Sequence, residues 1–259
     1  MPKTRNLKIT LAYDGTGFLG WQRQAQGRTV QSTLEDALEK LFGHKARTIA
    51  SGRTDTGVHA LGQVVNVHTD SRIPLQGLHR ALNSMLRGDI SVLSVEEAAE
   101  DFHARFMAIA KKYVYIIDSS PVPSPFCARY ALHVEGGLDI QAMKMSVSYL
   151  LGEHDFSAFM GSGSSVKTTR RKIFSTGVFP RGHRIYFYIQ GSGFLRHMVR
   201  NIVGTMILVG QGKIGADDMG RILDGRDRTC AGPTAPPHGL YLIGVDYGDK
   251  PSVWASLNA

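Results

Sequence analysis

"SGRTDTGVHALGQ", residues 51–63, sets an arginine, an aspartate and a histidine within seven residues. Gly52 and Gly57 bracket Arg53, Thr54 and Asp55. Hydrophobic residues resume at Val58 and then at Val64, Val65 and Val67. The stretch reads as a glycine-flanked loop between two strands. A solvated turn uses the same residue types, because Gly, Asp and Thr suit turns. Charged residues on a loop held by a rigid scaffold also carry function, so the rest of the chain has to decide between the two.

Outward from the loop, strands and helices alternate. "LKITLAYDG", residues 7–15, is a strand entering a glycine turn. "TVQSTLEDALEKLFG", residues 29–43, is a helix, with Thr29 as N-cap, Gly43 as stop, and Leu34, Ala37, Leu38, Leu41 and Phe42 at helical spacing. "RTIAS" leads into the loop as a strand and "GQVVNVHTD" leaves it as another. "PLQGLHRALNSML" is a second helix with Pro74 in its first turn, and "ISVLSVEEA" a further strand. In the second half "KKYVYIID", residues 111–118, is a strand rich in aromatic and β-branched residues. "DIQAMKMSVSYLLG" is a helix, "RKIFSTGVFPRGHRIYFYIQ" two strands joined at Pro180 to Gly182, "FLRHMVRNIVGTMILVG" a long helix and "GLYLIGVDY" a closing strand. Similar runs in each half predict an α+β protein of two lobes, residues 1–104 and 105–259. "MGSGSSVKTTRR" reads as a basic mobile loop.

With 259 residues, 42% of them hydrophobic, the chain can fill a sizeable core. Its longest apolar stretch, residues 201–210, is too short to span a bilayer, and the charged start predicts no export signal. Two distant cysteines, Cys127 and Cys230, fit free thiols in a cytoplasmic protein, and no Cys/His cluster offers a metal site. The net charge is +8. No Asp or Glu falls between Asp155 and Asp217, an interval holding nine basic residues, which leaves the rest of the chain at −1. Such concentration predicts a polyanionic partner, most simply nucleic acid.

"GQGKIG", residues 210–215, matches G-x-G-x-x-G by letters. That fingerprint must follow a strand and open a helix. Here it follows a helix, so a helix–helix turn is expected. "GSGSS" lacks the spacing of a nucleophile elbow, and no phosphate-binding loop ending in Gly-Lys-Ser/Thr is present. Asp55 is left as the best catalytic carboxylate. It needs a cation beside it, since an opposite charge favours the ionised form. Arg53 is two residues away. Arg200, among Met198, Val199, Ile202 and Val203, is either paired on a buried face or on the wet side of its helix. Tyr113 and Tyr115 share one strand face and read equally as core aromatics.

Six segments in order, "AYDGTGFLGWQRQ", "GRTDTGVHALGQV", "DFHARFMAIAKKYVYII", "LLGEHDFSAF", "FLRHMVRNIVGTM" and "HGLYLIGVDY", resemble the TruA family of tRNA pseudouridine synthases. The resemblance runs from about residue 9 to residue 247. It implies two α+β lobes with mainly antiparallel sheets, helices on one side, facing a central basic cleft. It implies that Asp55 is the catalytic aspartate and that Arg53 handles RNA near a flipped base. Tyr113 would pack on that base, Arg200 would pair with Asp55, and Leu240 would line the pocket. It further implies a homodimer acting on uridines 38 to 40 of the tRNA anticodon arm, with no metal and no cofactor. "TTRRKI" carries an extra arginine, so either Arg170 or Arg171 matches the family's arginine there. Together with Lys167 they are the expected backbone contacts. A non-catalytic tRNA-binding protein would keep the basic interval without needing Asp55, Tyr113 and Arg200 together.

Overall fold

The computed structural model describes residues 4–163 and 166–248, so Ser164 and Ser165 of the basic Gly/Ser loop lie outside the described residues. The described residues form two compact units, one of residues 4–109 and 242–248, the other within Ala110–Tyr241. The expected division at 104/105 gives the closing strand to the second lobe. The structure gives the part of it beyond Tyr241 to the first, where it runs beside the strand His59–Thr69.

The first unit contains β1 (Arg5–Tyr13), α1 (Val30–Phe42), β2 (Thr48–Ala50), β3 (His59–Thr69), α2 (Leu75–Met85) and β4 (Ile90–Ala98). The second holds β5 (Ala110–Asp118), β6 (Leu132–His133), α3 (Ile140–Ser148), β7 (Gly152–Asp155), β8 (Arg170–Arg181), β9 (Arg184–Gly191), α4 (Met198–Gly210) and α5 (Asp218–Gly225). The last strand, β10 (Leu240–Asp246), begins in the second unit and returns to the first.

In the first unit the strand order is β4-β1-β3-β10. β1 pairs antiparallel with both β3 and β4, with Ile9 between Val65 and Val95. On the far edge of β3, β2 pairs with Val65 to Val67. β10 comes close at Gly62, where an added Cβ would stand 2.7 Å from the Ile243 carbonyl oxygen. β3 is buried almost throughout, as a strand with neighbours on both edges should be. α1 forms because Thr29 and Ser32 cap it reciprocally: Thr29 Oγ1 accepts from the Ser32 amide at 3.1 Å, and Ser32 Oγ accepts from the Thr29 amide at 3.2 Å. Gly43, in the left-handed region at φ 75°, ends it. Its buried stripe is Val30, Leu34, Ala37 and Leu38, in which each Val or Leu side chain is worth about 1.5–3 kcal/mol on burial. Glu35 is buried there too, its carboxylate accepting from the Thr48 amide and hydroxyl at 2.9 and 3.0 Å.

In the second unit the order is β5-β9-β8-β7, antiparallel throughout, with short β6 parallel to the end of β5. The β8–β9 hairpin turns at Gly182 and His183, with Gly182 at φ 57°. α3 packs on β8 and touches both α4 and α5. α4 is buried nearly all round, which explains its apolar sequence. It starts at Met198, four residues later than the apolar run predicts, because His197 takes φ 58°. "GQGKIG" starts on the last residue of α4 and runs into the turn before α5. Among the described residues no helix is long and apolar enough to cross a membrane, and Cys127 and Cys230 are free thiols.

Candidate active site

The 51–58 loop is built into the first unit from both ends. At its start the buried Ser51 is tied to β3: its amide donates to the Val64 carbonyl at 2.8 Å and its hydroxyl to Gln63 Oε1 at 2.6 Å. Gln63 Nε2 donates to the Gly52 carbonyl at 2.9 Å. At its end the Val58 amide donates to the Asp55 carbonyl at 3.1 Å, closing a four-residue turn with Gly57 at φ 77° in the third position, where a left-handed residue favours glycine.

Burial alternates between these ends. Arg53 is exposed, Thr54 buried and Asp55 half-buried. Thr54 is therefore the anchor, and the two charged residues flank it. Its hydroxyl meets the Tyr13 hydroxyl at 2.8 Å, and its carbonyl accepts from the Trp21 amide at 3.0 Å. Burial pushes the Tyr13 hydroxyl up to about 12, against opposing hydrogen bonds to Thr54 and Gln63.

The segment after β1 lies against this loop. Gly20, at φ 83°, faces the backbone of Thr54 to Thr56; an added Cβ would stand 2.7 Å from the Thr54 carbonyl oxygen. At Gly15 it would overlap the Val58 carbonyl oxygen. The Gly15 amide donates to Nδ1 of the buried His59 at 3.1 Å. None of Tyr13, Gly15, Gly20, Trp21, His59 and Gln63 was expected at the site. The one local signal is the glycine spacing of "DGTGFLG", which denies the chain side chains where another backbone passes.

Three of the remaining expected residues, Tyr113, Arg200 and Leu240, lie in the second unit's sheet, its buried helix and the start of the closing strand. Tyr113 on β5 is buried and meets Phe194 edge-to-face, with ring centroids 5.1 Å apart at 83°. Tyr115, two residues on, is fully buried and donates to the Pro236 carbonyl at 2.8 Å. Burial raises the Tyr115 hydroxyl well above its usual range, and the nearby Arg200 charge opposes that rise. Arg200 sits in the first turn of α4, half-buried. Its Nε donates to the Ala235 carbonyl at 2.7 Å, while its own carbonyl accepts from the Ala235 amide at 3.1 Å. Leu240 is buried at the opening of β10, directly after Gly239, which abuts Tyr115 and Ile116. The structure thus brings Arg200, Tyr115 and the 235–240 segment together.

The residues leading into that segment, 228–234, are held on α4 by side chains that were not expected at the site. Asn201 Oδ1 accepts from Thr234 Oγ1 at 2.6 Å and from Arg228 Nη2 at 3.2 Å. Thr205 Oγ1 accepts from the Gly232 amide at 2.8 Å. Gly204 lets the Pro233 carbonyl touch the helix.

The loop cations are spread along the start of β8. Lys167 and Arg170 are exposed, and Arg170 pairs with Glu153 at 3.0 Å. Arg171 is partly covered, which lowers its guanidinium from the usual arginine range; its Nη1 donates to the Thr168 carbonyl at 2.9 Å.

Comparison with known proteins bears on what this arrangement does. The sequence pattern described as tRNA pseudouridine synthase matches residues 9–107 and 147–248. A tRNA pseudouridine synthase A of Acetivibrio thermocellus is 47% identical over 94% of this chain and all of its own length. That of Thermoanaerobacter sp. strain X514 is 46% identical over the same shares, and that of Citrifermentans bemidjiense 45% over 95% and 99%. A chain of the crystal structure of a Cbf5-Nop10-Gar1 complex overlays 78% of this chain and 45% of its own at a TM-score of 0.34 and 15% identity, too distant to add to the assignment. On the first two findings, the chain belongs to the tRNA pseudouridine synthase family.

Proposed function

We propose that this chain converts uridine to pseudouridine at positions 38 to 40 in the anticodon arm of tRNA, as a cytoplasmic homodimer without metal or cofactor. The reaction breaks the N-glycosidic bond, turns the uracil and rejoins the sugar through C5. It is an isomerisation, so no electron acceptor or external energy source is required. Asp55 is the catalytic residue in this reading. The carrying observation is its place: a half-buried carboxylate between backbone atoms fixed on either side, in a family member.

The target uridine must leave its stack to meet such a carboxylate, at a cost of a few kcal/mol that pocket contacts offset. Tyr113 and Leu240 offer an aromatic and an apolar surface for the flipped base, and Arg53 an exposed cation for the RNA beside it. Arg200 serves as the counter-ion of Asp55. These residues serve equally an aspartate that attacks the sugar or the base and one that removes a sugar proton. Tyr113 can accept the C5 proton as the base rearomatises, provided its hydroxyl is positioned for it. Lys167, Arg170 and Arg171 grip phosphates.

The test is incubation of the purified protein with unmodified tRNA and no additives, followed by site-resolved pseudouridine detection. Asp55→Asn keeps the shape and removes the charge. It is expected to form no pseudouridine while tRNA affinity stays within about tenfold. Retained turnover would remove Asp55 from the chemistry. RNA binding without turnover in the unaltered protein would support the non-catalytic reading.

A further inference from the structure

Four polar side chains in or beside the loop have no role in the reaction as described: Tyr13, Ser51, Thr54 and Gln63. All four are buried, and each is hydrogen-bonded. Their bonds converge on the residues immediately before Asp55. Gln63, on β3, spans Ser51 and Gly52 by accepting from the Ser51 hydroxyl and donating to the Gly52 carbonyl. Tyr13, the last residue of β1, holds the Thr54 hydroxyl. The two clamps thus hold the chain on either side of Arg53, at Gly52 and at Thr54.

A strand facing a core needs no polar groups for stability, since apolar residues of like size serve at least as well. A buried polar network is tolerated only when all its members are satisfied, and it then fixes one arrangement. Among the described residues no buried side-chain nitrogen or oxygen lacks a partner. Here the arrangement fixed is the path of the backbone into the carboxylate. Arg53, between the two clamped residues, points into solvent.

We propose that Tyr13 and Gln63 are positioning residues for the isomerisation, holding Gly52 and Thr54 so that the Asp55 carboxylate stands in its reacting place. The inference rests on the assignment of Asp55 above. Neither residue touches the uridine. Their loss therefore lowers the rate of the bound complex and leaves its formation alone.

The experiment measures single-turnover pseudouridine formation against tRNA concentration, well below each variant's melting temperature. Tyr13→Phe and Gln63→Met are each expected to slow the saturated rate about tenfold or more, with half-saturation within about twofold, because small misplacements of a reacting group cost rate. Thr54→Ser, which keeps the hydroxyl, is expected to run near the unaltered rate. Thr54→Val is expected to be as slow as Tyr13→Phe, and the two together no slower than the slower one, since they cut the same bond. If Tyr13→Phe, Gln63→Met and Thr54→Val melt earlier yet keep the full saturated rate, the network is structural only and the inference falls. Losses that multiply in the double variant would also overturn the shared clamp. Should Tyr13→Phe fail to fold, the Thr54→Ser and Thr54→Val pair decides alone. Asp55→Asn is the control. If it turns over, the assignment of Asp55 fails; if it is inactive while the other variants run at full rate, only the positioning role fails.

Discussion

Gly20→Ala tests the cradle of the aspartate loop with a single methyl group. The added Cβ would lie 2.7 Å from the Thr54 carbonyl oxygen and 3.1 Å from both the Asp55 carbonyl carbon and the Thr56 nitrogen. All three are backbone atoms, so no side chain can swing aside. Restoring an ordinary contact of 3.4 Å needs a shift of about 0.7 Å between the 18–21 and 54–56 segments. The Trp21 amide bond to the Thr54 carbonyl, at 3.0 Å, ties the same two segments and resists that shift. Alanine at φ 83° adds backbone strain of about 1–3 kcal/mol. Together these predict a loss of about 2–4 kcal/mol of stability, in the range of strained-site substitutions. The aspartate is carried with its backbone, and a displacement approaching 1 Å costs about a hundredfold in rate. The saturated single-turnover rate is therefore expected to fall about 10- to 100-fold, with tRNA affinity within about threefold. Thermal melting and rate are measured on the same preparation. A Gly20→Ala protein that melts with the unaltered one and keeps its rate would refute the close packing of these segments.

Arg200→Ala removes the donor to the Ala235 carbonyl and is expected to cost about 1–3 kcal/mol of stability as well as most activity, with lysine restoring only part of each; a stable, fully active alanine variant would contradict this. Neutralising Lys167, Arg170 and Arg171 together is expected to reduce the salt dependence of tRNA binding, each lost phosphate contact removing about 0.7–0.9 from the log–log slope, while the saturated rate holds. An unchanged slope with a collapsed rate would put this loop in the chemistry instead. Tyr13 predicts an alkaline limit. Its hydroxyl ionises near 10 in the unfolded chain and at about 12 in the fold, so the unfolded state gives up its proton first and stability falls as pH rises from about 10 to about 12. The contribution is fully present below pH 10, and Tyr13→Phe should lose less melting temperature than the unaltered protein between pH 9.5 and 11; parallel declines would show that Tyr13 is not the group responsible.

What could be read in the sequence was what is decided locally. Thr29 and Gly43 announce both ends of α1, because a cap hydrogen bond and a left-handed residue act within four positions. The stretches read as strands at 7–15, 90–98 and 111–118 fall within two residues of β1, β4 and β5, since β-branched and aromatic content and a flanking glycine turn are local signals. The apolar run before α4 misled, because His197 breaks it with a left-handed backbone beside Gly161, where an added Cβ would stand 2.6 Å from its ring nitrogen. Nothing within a few residues of His197 signals that approach. The two readings of Arg200 stayed open for a similar reason: its Ala235 partner is 35 residues away. Tyr13 and Gln63 read simply as strand residues, since their bonds to Thr54 and Gly52 join positions 41 and 11 apart.

The return of β10 to the first unit has a consequence during synthesis on the ribosome. Asp55 and its clamp are made early, but the strand beside Gly62 follows only after residues 110–241. At ~5–20 residues per second that interval lasts roughly 7 to 26 s. Throughout it the nascent first unit presents part of the β3 edge with unpaired backbone groups, a template for wrong partners. A chain cut short near residue 241 would keep that part of the β3 edge unpaired for good, and so remain open to pairing with other chains.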